Sequence, residues 1–316
     1  MASFKKIMLI GVRKSLFSNN ILWALANSFQ KGLFGSAVLP ELLKGGYQVT
    51  LLSRSDKSDD DLPASVRRVT ADYNDAASLE SALQGQDAVV STVAIEAIFG
   101  QKLIIDAAIK AGVRRFIPSD FGSLTTDPAA SHLPHHVGMV EIQKYLMSKS
   151  DEIEYTIFSI GAFTDFLVNS GVAFDWEQKT AQLWGDGTSR ISTTSLNGAA
   201  RAIVGALKNP GPTKNKNMFV HELVVTQAQL LSLAKKRAPQ AEWTITHIND
   251  PVAEFNKLEA LVKEQPEMPN IIALVKASLT SGIYKAYYEK VDNNLVGLPL
   301  LSEKDLEARF TEAYGH

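Results

Sequence analysis

Short apolar runs and longer amphipathic stretches alternate through the first half of the chain. Ile7-Met8-Leu9-Ile10 is an apolar run ending at Gly11, and Gly32-Leu33-Phe34-Gly35 opens a helical pattern through Val38, Leu39, Leu42 and Leu43. Gly45-Gly46 stops that helix, and Tyr47 to Leu52 reads as a second strand. Arg67 to Thr70 is a weak third strand, Ala77 to Leu83 a short helix, and Asp87 to Val93 a fourth strand with an apolar centre, as a parallel strand buried on both faces requires. Leu103 to Ala111 is amphipathic and ends at Gly112, and Arg115-Phe116-Ile117 is a fifth strand. This alternation predicts right-handed βαβ crossovers and an α/β fold with a doubly wound parallel sheet.

The second half is less regular. Ile142 to Met147 lies on a helix, Tyr155 to Ser159 is a sixth strand, and Ala181 to Trp184 is a strand entering the Gly185-Asp186-Gly187 turn. Ser195 to Leu207 reads as a helix, Phe219 to Val225 as one strand, Gln227 to Lys236 as a helix and Trp243 to His247 as a strand. From Pro251 to Ala313 the chain is mostly helical. The organisation expected is a nucleotide domain over residues 1–160 and a smaller α/β substrate domain over 161–316, interleaved at the boundary.

The opening strand, glycine turn, helix and strand have the layout of a dinucleotide site, where glycines admit the pyrophosphate and the helix N-terminus supplies unpaired N–H groups. The spacing is broken, because Val12 to Lys31 stand between Gly11 and Gly32, with apolar Leu16, Phe17, Ile21, Leu22, Trp23, Leu25 and Phe29. Such an excursion leaves Gly11 uncoupled from the helix. Three readings are open: a helix covering the glycine turn, a partner-binding or regulatory helix, or a retained intron. The third is favoured, since valine codons begin with the dinucleotide that opens introns and Gln30 or Lys31 codons can end with the one that closes them. Deleting Val12 to Gln30 leaves Gly11-Lys31-Gly32-Leu33-Phe34-Gly35, a restored G-x-G-x-x-G.

Composition narrows the function classes. A chain of 316 residues, 45% hydrophobic, has material for a large core and about two domains. Its net charge of -2, with no long basic block, argues against nucleic acid as a partner. The absence of cysteine excludes disulfides and thiolate chemistry. No run reaches the ~18 apolar residues of a membrane span, and no cleavable leader is visible. A soluble, cytoplasmic protein acting on a small molecule is expected, with no metal.

Arg115-Phe116-Ile117-Pro118-Ser119-Asp120-Phe121-Gly122 resembles the Arg-Phe-Ile-Pro-Ser-Glu-Phe-Gly signature of the isoflavone reductase and phenylcoumaran benzylic ether reductase group, within the NmrA-like atypical short-chain dehydrogenases. Tyr155-Thr156, Gly161-Ala162-Phe163 with Asp165, and Ile191 to Ser195 are similar to segments of its fungal, CipA-type members. The resemblance runs from the first strand to about Gln229. It implies a Rossmann domain binding NADP(H), a smaller C-terminal domain and a cleft between them.

On this reading Gly11, Gly32, Leu33, Phe34 and Gly35 meet the pyrophosphate. Arg54 follows the second strand, where an acidic residue would bind a ribose 2′-hydroxyl and an arginine instead accommodates the 2′-phosphate, so Ser53, Arg54 and Lys57 point to NADP(H). A solvated loop arginine is the plainer alternative. Asp72 resembles the residue near the adenine edge, or is a turn residue. Ser91 and Thr92 fall where ribose and pyrophosphate pass, and otherwise simply end a strand. Gln101 and Phe163 resemble residues flanking the nicotinamide, against the alternative of ordinary core positions.

The reductases carry a general acid or base lysine on the helix before the sixth strand. Matching Leu133-Pro134 and Gln143-x-Tyr145-Leu146 puts that lysine at Met139 and a second common lysine at Val137. Neither side chain transfers protons, and Lys144 is turned well off the Met139 face at 100° per residue. His135 and His136, near His132, are the candidate replacements, weighed against a polar surface loop around Pro134. Two functions follow: an NADPH-dependent reductase of a small aromatic or polyketide-like secondary metabolite, supported by the resemblance and by Phe163, Phe166, Phe174 and Trp176, or a non-catalytic NADP(H)-sensing regulator acting through a protein partner, supported by the missing lysine.

Overall fold

The computed structural model describes residues 3–11, 32–54, 62–169 and 173–315. The segment 12–31 and Lys57 lie outside the described residues, so the three readings of that segment are not decided by geometry. The first half supplies β1 (Lys6–Ile10), α1 (Leu33–Lys44), β2 (Gln48–Ser53), β3 (Arg67–Thr70), α2 (Ala76–Leu83), β4 (Ala88–Ser91), α3 (Gln101–Lys110), β5 (Arg115–Ile117), α4 (Val137–Ser148) and β6 (Glu154–Ser159). The second half supplies β7 (Ala162–Phe163), α5 (Thr164–Asn169), β8 (Thr180–Trp184), β9 (Ile191–Thr194), α6 (Leu196–Lys208), β10 (Lys216–Phe219), β11 (Leu223–Val225), α7 (Gln227–Arg237), β12 (Thr244–Ile248), α8 (Pro251–Glu264), α9 (Met268–Thr280), α10 (Asn293–Val296) and α11 (Glu303–Tyr314).

The main sheet has the order β10-β6-β5-β4-β1-β2-β3, and every neighbouring pair is parallel. Successive residues of a strand face opposite sides, so β1 feeds two cores. Ile7 and Leu9 pack with Val38, Leu39 and Leu42 of α1 and with Ile203 and Leu207 of α6. Met8 and Ile10 pack on the other face with Leu79 of α2, Ile104 and Ile105 of α3, and Ile142 and Leu146 of α4. Helices cover both faces, which is why the central strands read as continuous apolar runs. A second sheet has the order β11-β9-β7, and β8 pairs with β12 in a third.

One expected element is corrected. The run from Phe219 to Val225 is not one strand: β10 ends at Phe219 beside β6, and β11 begins at Leu223 beside β9. The chain changes sheets over Val220, His221 and Glu222, where the His221 N–H donates to Asn293 Oδ1 at 3.2 Å and the Glu222 carboxylate accepts from the Ser195 N–H at 2.8 Å. Apolar residues stand on both sides of the switch, Met218 and Phe219 before it and Leu223 to Val225 after it, so the local pattern carries little mark of it.

Arg115, from the family-like signature, has a fully buried side chain. Its guanidinium donates to Glu154 Oε2 at 2.8 Å, Thr156 Oγ1 at 2.8 Å and the Pro210 carbonyl at 2.8 Å, tying β5 and β6 to the loop before β10. Among the described residues no helix is long and apolar enough to cross a membrane, and no cluster of three metal-ligating side chains occurs.

Candidate active site

The strand order reverses between β1 and β4, with β2 and β3 beyond one and β5 and β6 beyond the other. Open α/β sheets take ligands in the crevice at such a switch point. Gly11 follows β1 with φ of 95°, and a Cβ there would lie 2.3 Å from the Thr92 carbonyl oxygen. Gly35, in the first turn of α1, is as closely held: its Cβ would lie 2.6 Å from Thr92 Oγ1 and 2.9 Å from the Gly11 carbonyl oxygen. Thr92 Oγ1 donates to the Ile10 carbonyl at 2.6 Å and closes the junction. Gly11 is therefore packed against the start of α1 despite the residues between them, which corrects the expectation that it would be uncoupled.

Gly32, which has no side chain to cap α1, stands at its N-cap in a left-handed conformation with φ of 87°, and no acidic residue stands in the first turn of the helix. Its first-turn N–H groups lack intrahelical acceptors and are oriented for an anion. At the neighbouring strand end, the buried Ser91 Oγ has no hydrogen-bond partner, and neither has Gln101 Nε2. An uncapped helix start, a glycine junction no side chain can enter and orphaned polar atoms beside it fit the phosphate and ribose portion of a dinucleotide.

A cavity of about 370 Å³ adjoins Gly32 and Thr92. Leu33 and Phe34 of α1, Phe163 of β7, Phe166 of α5, and Ile271 and Leu279 of α9 form much of its apolar wall. Phe34 stands 4.5 Å from Phe121 and 5.3 Å from Phe163 between ring centroids, and Phe163 stands 5.4 Å from Phe166. Phe174 and Trp176 are elsewhere: Phe174 meets Trp243 at 5.9 Å and Trp176 stacks on Tyr314 at 4.0 Å, inside the core of the second half.

Gln101 does not line the cavity. Fully buried, it accepts the Ser119 N–H on Oε1 at 2.8 Å and so fixes the loop that carries Phe121. The neighbouring Asp120 is also buried, its carboxylate accepting from Thr125 Oγ1 at 2.8 Å and Gln143 Nε2 at 2.5 Å, and burial raises its pKa. Ser53 ends β2, and Arg54 is exposed just beyond it, with its guanidinium carbon 6.0 Å from the Tyr73 ring centroid. Asp72 is exposed and accepts the Asn74 N–H at 2.9 Å, an Asx turn.

Around the position of the family lysine, Met139 lines the cavity from the first turn of α4, while Val137 is 46% exposed and Lys144 is exposed away from it. His135 and His136 line the cavity too, and both are buried, which overturns the surface-loop alternative for this pair. His136 Nδ1 lies 2.9 Å from the Ala130 carbonyl, and burial lowers its pKa. Neither nitrogen of His135 has a partner, and burial, aided by His136, pushes its pKa down to about 3. Both rings are neutral at pH 7, so neither is a ready proton donor. His132 is exposed, 3.9 Å from the Glu259 carboxylate.

One lining residue escaped the sequence reading. Lys276 enters the cavity wall from α9, whose sequence MPNIIALVKASLT holds no other charge. A lone cation on an apolar helix was the available signal, hidden because α9 follows the last residues that resemble the family.

A switch-point crevice with an uncapped helix start and an adjoining apolar cavity defines a Rossmann-type dinucleotide-binding protein. The chain belongs to the NAD(P)H-binding family, whose sequence model matches residues 31–210, and its relatives are oxidoreductases that include isoflavone reductase homologues. It is 33% identical over 80% of its length to oxidoreductase aprR of Aspergillus flavus, covering 86% of that protein. It is 29% identical over 68% of its length to the isoflavone reductase homolog IRL of Zea mays, covering 68% of that protein. The fold is that of AtPrR2, solved with NADP+ and (+)pinoresinol, with a TM-score of 0.66, 18% identity and 99% of each chain covered.

Proposed function

We propose that this protein is an NADPH-dependent reductase of a small aromatic or polyketide-like metabolite. The observation that carries this reading is the apolar, phenylalanine-walled cavity that begins where the glycine junction ends, at Gly32 and Thr92. The backbone N–H groups at Leu33, Phe34 and Gly35 would receive the pyrophosphate, Arg54 the 2′-phosphate, and Ser91 the neighbouring ribose. Lys57 joins Arg54 in this assignment on sequence position alone. When bound, the reduced nicotinamide supplies a hydride. Phe163 offers it a flat apolar face, and the phenylalanine wall excludes water and orients a flat conjugated acceptor.

Thermal unfolding with NADPH, NADP+ and NADH tests the cofactor assignment, and NADPH oxidation in the presence of aromatic enones and ketones tests the reaction. NADPH is expected to raise the melting temperature more than NADH, and at least one acceptor is expected to be reduced. A second reading, a regulator that senses NADP(H) through a protein partner, draws on Met139 in place of the family lysine. It takes precedence if NADPH binds, no acceptor is turned over, and a protein partner is retained only in one redox state of the nucleotide.

A further inference from the structure

Reduction of a carbonyl or enone needs a proton as well as a hydride, and position 139 is methionine. The titratable side chains that line the cavity among the described residues are Glu96, His135, His136 and Lys276. Glu96 belongs to the short helical turn Ile95–Ala97, the two histidines to the loop entering α4, and Lys276 to α9. His135 and His136 are neutral at pH 7, as shown above. Glu96, five residues beyond β4, is exposed on that turn and is an acidic side chain, not a cationic donor like Lys276. Among the described residues no carboxylate or other acceptor stands within bonding distance of Lys276 Nζ, although lysines elsewhere on the surface pair with glutamates. A half-buried lysine left without a counter-charge is costly unless something else meets its ammonium.

Resting on the reductase reading above, we propose that Lys276 is the proton donor of this site, taking from α9 the task that the family lysine performs from α4. The acceptor class is a flat, largely apolar conjugated carbonyl, an aromatic enone or a quinone, whose oxygen meets the ammonium while its rings lie among Phe34, Phe163 and Phe166. The hydride forms a new C–H bond, the π pair of the carbonyl or enone moves onto oxygen, and the Lys276 ammonium gives its proton to that oxygen. The neutral amine then regains a proton from water, so charge and electrons balance over the turnover. Burial lowers the Lys276 pKa, which brings the ammonium nearer to a useful acid at neutral pH.

The test uses the full chain with chalcone as enone probe and menadione as quinone probe. Lys276→Met should retain NADPH binding in thermal shift and lose roughly 10²–10⁴-fold in kcat. Lys276→Arg keeps the charge but not a transferable proton and should stay near the Lys276→Met rate. Met139→Lys added to Lys276→Met should restore part of the lost turnover. Independently of activity, the protein is reductively methylated with 13C-formaldehyde, without nucleotide, and the resonance missing in Lys276→Met is titrated. It should titrate below the other lysines, and the wild-type rate should fall as pH rises through the same value. Wild-type turnover in Lys276→Met or in Lys276→Arg, a rise in KM alone, or a titration like that of surface lysines overturns the proposal. Failure of the wild-type chain to bind NADPH would instead overturn the reductase reading, with the methyl titration still judging Lys276 by itself.

Discussion

Arg54 stands beside the Tyr73 ring just beyond the end of β2. Arg54→Ala should weaken NADPH binding by about 1.5–3 kcal/mol, the range for a hydrogen bond to a charged group, and barely change NADH. Equal losses for the two nucleotides, measured by titration calorimetry, would remove the 2′-phosphate assignment. His135 gives a pH signature of a different kind. Its pKa falls from 6.5 to about 3 on folding, so between those values the unfolded chain binds the extra proton. Its contribution to stability is complete above pH 6.5 and is lost as pH falls toward 3, by up to about 1.4 kcal/mol per unit. Urea midpoints measured from pH 7 to pH 4 should therefore drop less steeply in His135→Phe than in the wild type, and parallel curves would contradict the burial argument. The rate should also show no bend near pH 6.5 from this ring. Sequence position was enough to single out Arg54 and the two histidines. Their protonation was not legible, because a histidine's pKa depends on what covers it, and the cover comes from elements distant in the chain.

At the scale of the element, the β1–α1 junction makes the strictest demand. Gly11→Ala would need a positive φ and would drive a Cβ against the Thr92 carbonyl. It should cost at least about 1–2 kcal/mol, the left-handed penalty alone, and reduce NADPH affinity by shifting α1. Denaturant unfolding and a binding titration check both, and an unchanged midpoint would show that the junction relaxes freely. The segment 12–31 enters here through its ends. Since Gly11 already touches Gly35, deleting Val12 to Gln30 should leave a chain that folds and that NADPH stabilises more strongly than it does the full chain. If the deletion abolishes the NADPH-induced shift, or if the mature transcript encodes the segment and the full chain binds NADPH well, a covering helix is the better account. The match to the family model begins at residue 31, where the G-x-G-x-x-G pattern resumes.

Across the whole molecule, residues from both halves share one core and one hydrogen-bond network: α6 packs on the main sheet with α1, β10 extends that sheet, and Arg115 binds Glu154, Thr213 and Pro210. Arg115→Met should lower the unfolding free energy by at least about 1.5–3 kcal/mol, because several acceptors lose a charged donor at once. An unaltered denaturation curve would mean that water substitutes for the guanidinium. The sequence by itself determined the parallel sheet, most element boundaries and the glycines that follow β1 and open α1, since apolar period and glycine punctuation are local properties. The tertiary structure alone decided the change of sheet between Phe219 and Leu223, the close approach of Gly11 and Gly35 across a long excursion, the transfer of Phe174 and Trp176 to another core, and the place of Lys276 in the same cavity wall as Met139. Each of these depends on which surfaces meet when distant segments pack, and a linear pattern of apolar and polar residues specifies that a face is buried without specifying against what.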